Sequence, residues 1–104
     1  MPKLPAKTEL DGMQRLVAQR PELGHIRTRA RGETLILESG PPDDPTPHAR
    51  LRRDTIHLWY LEMPGRGGRW EPTGIRGTRA ELLEALVGQF PWMMMDHGAE
   101  PAAN

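Results

Sequence analysis

His48-Ala49-Arg50-Leu51-Arg52-Arg53-Asp54-Thr55-Ile56-His57-Leu58-Trp59-Tyr60-Leu61-Glu62-Met63 decides the reading of this chain. Ala49 and Leu51 alternate with Arg50 and Arg52, which is the two-residue period of a strand with one wet face. Asp54 marks a turn. Thr55 to Met63 then returns as a second strand, rich in β-branched and aromatic residues. Its Ile56, Leu58 and Tyr60 fall on one face, and Trp59, Leu61 and Met63 on the other. Apolar groups on both faces place this strand inside a sheet, or give the sheet a second cover.

Upstream, residues 25–38 read as another hairpin. Ile26, Thr28 and Ala30 alternate with arginines, Arg31-Gly32-Glu33 turns, and Thr34-Leu35-Ile36-Leu37-Glu38 returns. Gly32 supplies the positive φ that such a turn needs. Residues 39–47 hold four Pro and one Gly, a stiff irregular connection between the hairpins. Downstream, Pro64-Gly65-Arg66-Gly67-Gly68 is a flexible turn. Residues 69–75 follow as a fifth strand, which Pro72 confines to the sheet edge.

Helices bracket the strands. Thr78 and Glu81 have the spacing of a capping box, and Leu82, Leu83, Leu86, Val87 and Phe90 form one apolar arc before Pro91 stops the helix. Near the start, Leu10, Met13, Leu16 and Val17 share a stripe over residues 8–20, with Thr8 as the expected N-cap and Pro21 as the stop. Gly12 weakens this helix. The expectation is an α+β fold in the order α-β-β-β-β-β-α. A single antiparallel sheet of about five strands, two hairpins plus an edge strand, carries both helices on one face. Residues 1–7 are expected as a flexible arm, 8–95 as the single domain and 96–104 as a disordered tail.

The 104 residues suit one domain, and Cys is absent, which excludes disulfides, thiolate nucleophiles and Cys-based zinc sites. Nothing apolar follows Met1-Pro2-Lys3-Leu4-Pro5 to make a signal peptide, and the longest nearly apolar run, Phe90 to Met95, is too short for a bilayer. A cytoplasmic protein with no membrane partner is expected. Net charge is zero but unevenly spread: residues 25–79 carry ten Arg and seven acids, and residues 80–104 carry four acids and no base.

Chemistry-bearing motifs are absent. His25, His48, His57 and His97 show no zinc-binding spacing, and Asp43, Asp44 and His48 read as a solvated loop. Ser39, the only serine, lacks a nucleophile-elbow frame. Gly65-Arg66-Gly67-Gly68 leads into a strand, not into a helix N-terminus as a phosphate loop would. No metal, cofactor or enzyme activity is expected. Gly68-Arg69-Trp70 before a strand and helix resembles in outline the WGR domain of DNA-damage proteins. The layout from His57-Leu58-Trp59 to Trp92 resembles that of MbtH-like partner proteins. The signature residues of both families are missing and each likeness covers less than half the chain, so no family is assigned.

Two binding surfaces remain. Trp59, Leu61, Met63, Trp92, Met93, Met94 and Met95 carry more apolar surface than a chain without chemistry needs, which points to an accessory module that contacts another protein or a second copy of itself. The alternative partner is nucleic acid. Arg27, Arg29 and Arg31 share one strand face and Arg50 and Arg52 another, so hairpins in one sheet give an arginine-lined outer surface, with Trp59 facing the same way and Glu38 and Asp54 interrupting it.

Overall fold

The computed structural model describes residues 5–95. Five strands form one antiparallel meander in chain order: β1 (Arg27–Arg31), β2 (Thr34–Ser39), β3 (Thr46–Arg53), β4 (Trp59–Pro64) and β5 (Trp70–Gly77). Helices α1 (Leu10–Ala18) and α2 (Arg79–Gln89) precede and follow them. The α+β order is as the alternation and the cap signals foretell. β5 is an edge strand, as Pro72 requires.

Both helices pack on one sheet face. Met13 and Val17 of α1 and Leu82, Leu83 and Leu86 of α2 join Leu35, Leu37, Ala49, Leu51, Trp59 and Leu61 in one buried cluster. The period of two sends Arg50 and Arg52 of β3 and Tyr60 of β4 to the opposite face. Gly32 turns the first hairpin with φ 57°, so Arg31 pairs directly with Thr34. Gly12 has a reason to stand in α1: a Cβ there would collide with the Arg79 guanidinium. That guanidinium donates to the Glu9 carbonyl at 3.1 Å and pairs with its carboxylate at 3.3 Å, binding the start of α2 to the start of α1.

Several boundaries differ from expectation. β4 begins at Trp59, not Thr55, because residues 54–58 form the turn. The Leu58 carbonyl accepts from the amides of Asp54 and Thr55, and Oγ1 of Thr55 accepts from the Leu58 amide. Thr8 does not cap α1. Its hydroxyl donates to the Pro5 carbonyl within a 3-10 turn, Ala6–Glu9, and Glu9 holds the N-cap position without a side-chain bond. Ala6, placed in a loose arm by its sequence, is buried and donates its amide to the Gly32 carbonyl. The remainder of the expected arm, residues 1–4, and the expected tail, 96–104, lie outside the described residues.

Two bulges adjust the register. Leu37 pairs with Ala49 but Glu38 pairs with Pro47, which makes His48 an extra residue in β3. Tyr60 pairs with Arg76 and Glu62 with Pro72, so residues 73–75 oppose Leu61 alone. Gly74 takes φ 83° there, and Thr73 stitches the bulge by donating to the Leu61 carbonyl at 2.9 Å.

The capping box of α2 is complete. Thr78 Oγ1 accepts from the Glu81 amide at 3.2 Å, and the Glu81 carboxylate accepts from the Thr78 amide at 2.9 Å. Leu86 is fully buried. Leu86→Ala is therefore expected to cost about 2–5 kcal/mol through lost transfer energy and a cavity. Thr78→Ala removes one cap bond at a half-exposed end and is expected to cost about 0.5–2 kcal/mol. Urea melts of both variants check the ranking, and equal midpoints would contradict the buried stripe.

Candidate functional site

The face of the sheet opposite the helices carries Arg27, Arg29 and Arg31 on β1, Arg50 and Arg52 on β3, and Arg76 on β5. The five arginines anticipated from sequence do share one surface. Their carboxylates, however, are interleaved with them. Glu38 on β2 is 4% exposed and Glu62 on β4 is 6% exposed. Glu38 takes Arg27 at 3.3 Å and Arg29 at 3.2 Å, while Glu62 takes Arg50 at 2.6 Å and Arg52 at 3.2 Å. Asp54 takes Arg76 at 2.6 Å. Glu62 shows no burial signal in its sequence. It is buried because β4 lies between two strands whose long side chains fold over it.

Aromatic rings on this face lie under guanidinium groups. Arg50 sits 4.9 Å from the centre of the Trp70 ring, and Tyr60 lies beneath both Arg52 at 4.9 Å and Arg76 at 5.9 Å. Charge–quadrupole attraction holds the groups there. Trp59 is not part of this face. It is 1% exposed, in the core, beneath the guanidinium of Arg53 at 4.5 Å. The alternation within β4 is the expected one, but the turn over residues 54–58 sets the register so that Tyr60, not Trp59, shares the face of Arg52. Trp59 and Leu61 therefore face the helices and offer no surface to a partner, whereas Met63 is half-buried and stands outside the core cluster. Sequence reasoning missed Glu62, Tyr60, Trp70 and Arg76. The Arg-apolar alternation of β3 was the signal that points across the sheet to them.

The C-terminal segment makes a second surface. A 3-10 turn, Pro91–Met94, folds back on the helix side of the sheet. Met94 is buried and Met93 half-buried, whereas Trp92 is 56% and Met95 49% exposed. Two imidazoles anchor the turn. Nε2 of His25 donates to the Met94 carbonyl at 2.6 Å and Nδ1 of His48 donates to the Met93 carbonyl at 2.6 Å. A carbonyl only accepts, so each of these ring nitrogens carries the proton. The bulge explains the second bond, because the extra residue turns His48 onto the core side with Ala49. Phe90 braces Trp92 edge-to-face at 5.9 Å. Beside them lies an apolar cleft of about 380 Å³, lined by Leu23, His25, Val87, Pro91, Met94 and Met95, with Glu22 at its edge.

Ser39 and His48 have the spacing of a nucleophile and its base, with Oγ and Nε2 2.7 Å apart. Both are buried, and neither lines this cleft. The pair fixes the imidazole that holds the Met93 carbonyl. Among the described residues no group of three or more His, Asp or Glu side chains is placed to hold a metal ion, and no helix is long and apolar enough to cross a membrane.

His48→Ala is expected to loosen the C-terminal turn, seen as faster hydrogen exchange at the Met93 amide, with the β3 to β4 amides unchanged. His57→Ala, on an exposed turn, should leave that amide protected. No protein-family model, no curated protein and no solved structure matches this chain.

Proposed function

We propose that this chain is a non-enzymatic accessory module of the cytoplasm that contacts another protein, or a second copy of itself, through the C-terminal rim formed by Trp92, Met95 and the adjoining cleft. One observation carries the reading: an exposed tryptophan sits on a segment anchored by two histidine–carbonyl bonds and a buried methionine. Anchored aromatic groups next to a pocket make good interface hot spots, because little conformational freedom is lost when a partner covers them. Of the three large exposed apolar residues among the described residues, Ile56, Trp92 and Met95, two lie together on this turn. The rim is apolar, and Glu22 at the cleft pairs with Arg20. The favoured partner therefore presents an apolar side chain.

A photo-crosslinking residue in place of Trp92 is expected to capture one discrete protein or a second copy. The same residue in place of Ile56, which is equally exposed, is not. Trp92→Ala should weaken the captured association by about 2 kcal/mol or more while shifting the urea midpoint little, by about 0.5 kcal/mol or less. Equal capture from both positions, or a monomer that crosslinks to nothing, would refute the proposal.

A further inference from the structure

The C-terminal rim leaves the opposite side of the sheet uncommitted. There the register aligns one row across all five strands. Arg31 pairs with Thr34, Thr34 with Arg52, Arg52 with Tyr60 and Tyr60 with Arg76. Arginines thus stand on the first, third and fifth strands, about 9–10 Å apart, in a row roughly 19 Å long. The row lies at the end of the sheet away from the Asp43-Asp44 loop, which follows β2.

We propose that this row binds a single-stranded nucleic acid, with phosphates on the guanidinium edges and bases on the guanidinium planes. Charge complementarity supports it. Six arginines on this face meet three carboxylates, Glu38, Glu62 and Asp54, so three positive charges are left over. In Arg52 and Arg76 the carboxylate bonds to Nε, at 3.2 Å and 2.6 Å. Their terminal nitrogens have no protein acceptor among the described residues, and no ion pair reaches Arg31.

The salt bridges assist as well as neutralise. Each carboxylate fixes its arginine at Nε, and the Tyr60 ring holds two guanidinium groups, with its centre 4.9 Å from Arg52 and 5.9 Å from Arg76. Arg52 and Arg76 are therefore ordered before a ligand arrives, which lowers the entropy lost on binding. A guanidinium plane stacked on an aromatic ring offers its other side to a base, and unpaired bases are free to stack there. Duplex bases are already stacked, so a single strand is the favoured occupant.

The test is a fluorescence-anisotropy titration of a labelled, mixed-sequence single-stranded oligonucleotide at low salt, with a duplex of equal length alongside. Three phosphate contacts predict a slope of log K against log salt of about −2. Removing two contacts in Arg31→Ala/Arg52→Ala should lower affinity roughly tenfold or more and flatten the slope by about 1.4. A urea melt of that variant checks the fold, because Arg52 also pairs with Glu62, and Arg31→Ala alone, which breaks no ion pair, should flatten the slope by about 0.7. Arg15→Ala, an exposed cation on α1, should change neither quantity, and Trp92→Ala should leave oligonucleotide binding intact. No binding at tens of micromolar protein, an unchanged slope in the double variant, equal weakening by Arg15→Ala, or tighter binding of the duplex would each overturn the proposal.

Discussion

Two carboxylates set under four arginines hold this architecture in register. Glu38 and Glu62 sit on a sheet face that no helix among the described residues covers, yet both are buried, because Arg27, Arg29, Arg50 and Arg52 fold over them. A buried carboxylate without partners is costly, and removing one side of such a pair leaves the other charge stranded. The arrangement works in one alignment only. Slipping β3 by one residue would carry Arg50 and Arg52 into the core and Leu51 into water. The outer layer therefore contributes less through raw attraction than by making every alternative pairing expensive. Ile36, between Arg29 and Arg50 in the register, is buried by their stems in the same way.

The ends of the core are closed by polar groups where apolar ones run out. At one end Arg53 faces inward. Its guanidinium covers Trp59 and donates to the Ile56 carbonyl at 2.8 Å and the Pro5 carbonyl at 3.0 Å. One side chain thus ties the turn before β4 to the turn before α1, with the Glu9 carboxylate 4.0 Å away as counterion. At the other end His48 occupies the bulge and, with His25, secures Pro91–Met94 over the sheet. The two closures solve the same problem. A five-strand meander with two short helices leaves backbone carbonyls near the core margin, and each must find a donor.

The elements with strong local chemistry were legible before any coordinates. The Thr78–Glu81 box, the alternation in β3 and the glycine turn at Gly32 each constrain a few neighbouring residues, and all three stand in the structure. What was not legible depends on distant partners. Thr8 has the right chemistry for an N-cap, but Arg53 and the Pro5 carbonyl claim its hydroxyl. The residues from Thr55 to Leu58 have strand-like composition, and hydrogen bonds across the turn withdraw them from the sheet. That turn reversed the face assigned to Trp59 and took it from the candidate interface into the core. Burial of Glu62 could not be read at all, because a carboxylate's burial is decided by the strands beside it.

Zero net charge conceals a polar molecule. The arginine row lies on the open face, whereas the acids of α2, Glu81 and Glu84, belong to the helix side of the sheet. Screening confines direct electrostatic influence to roughly 8 Å at physiological ionic strength. A polyanion on the open face would respond to the guanidiniums in reach and only weakly to acids beyond the sheet and core. Neutrality of the whole chain also means little long-range steering, so encounter would be slow and retention would rest on local geometry. The apolar rim works by a different force, desolvation of Trp92 and Met95, which is short-ranged and insensitive to salt at low concentration. The two surfaces lie on opposite sides of one sheet and use independent forces. Occupying one need not cost the other anything, unless His48, the anchor on β3, carries strain from Arg50 and Arg52 on the same strand to Met93.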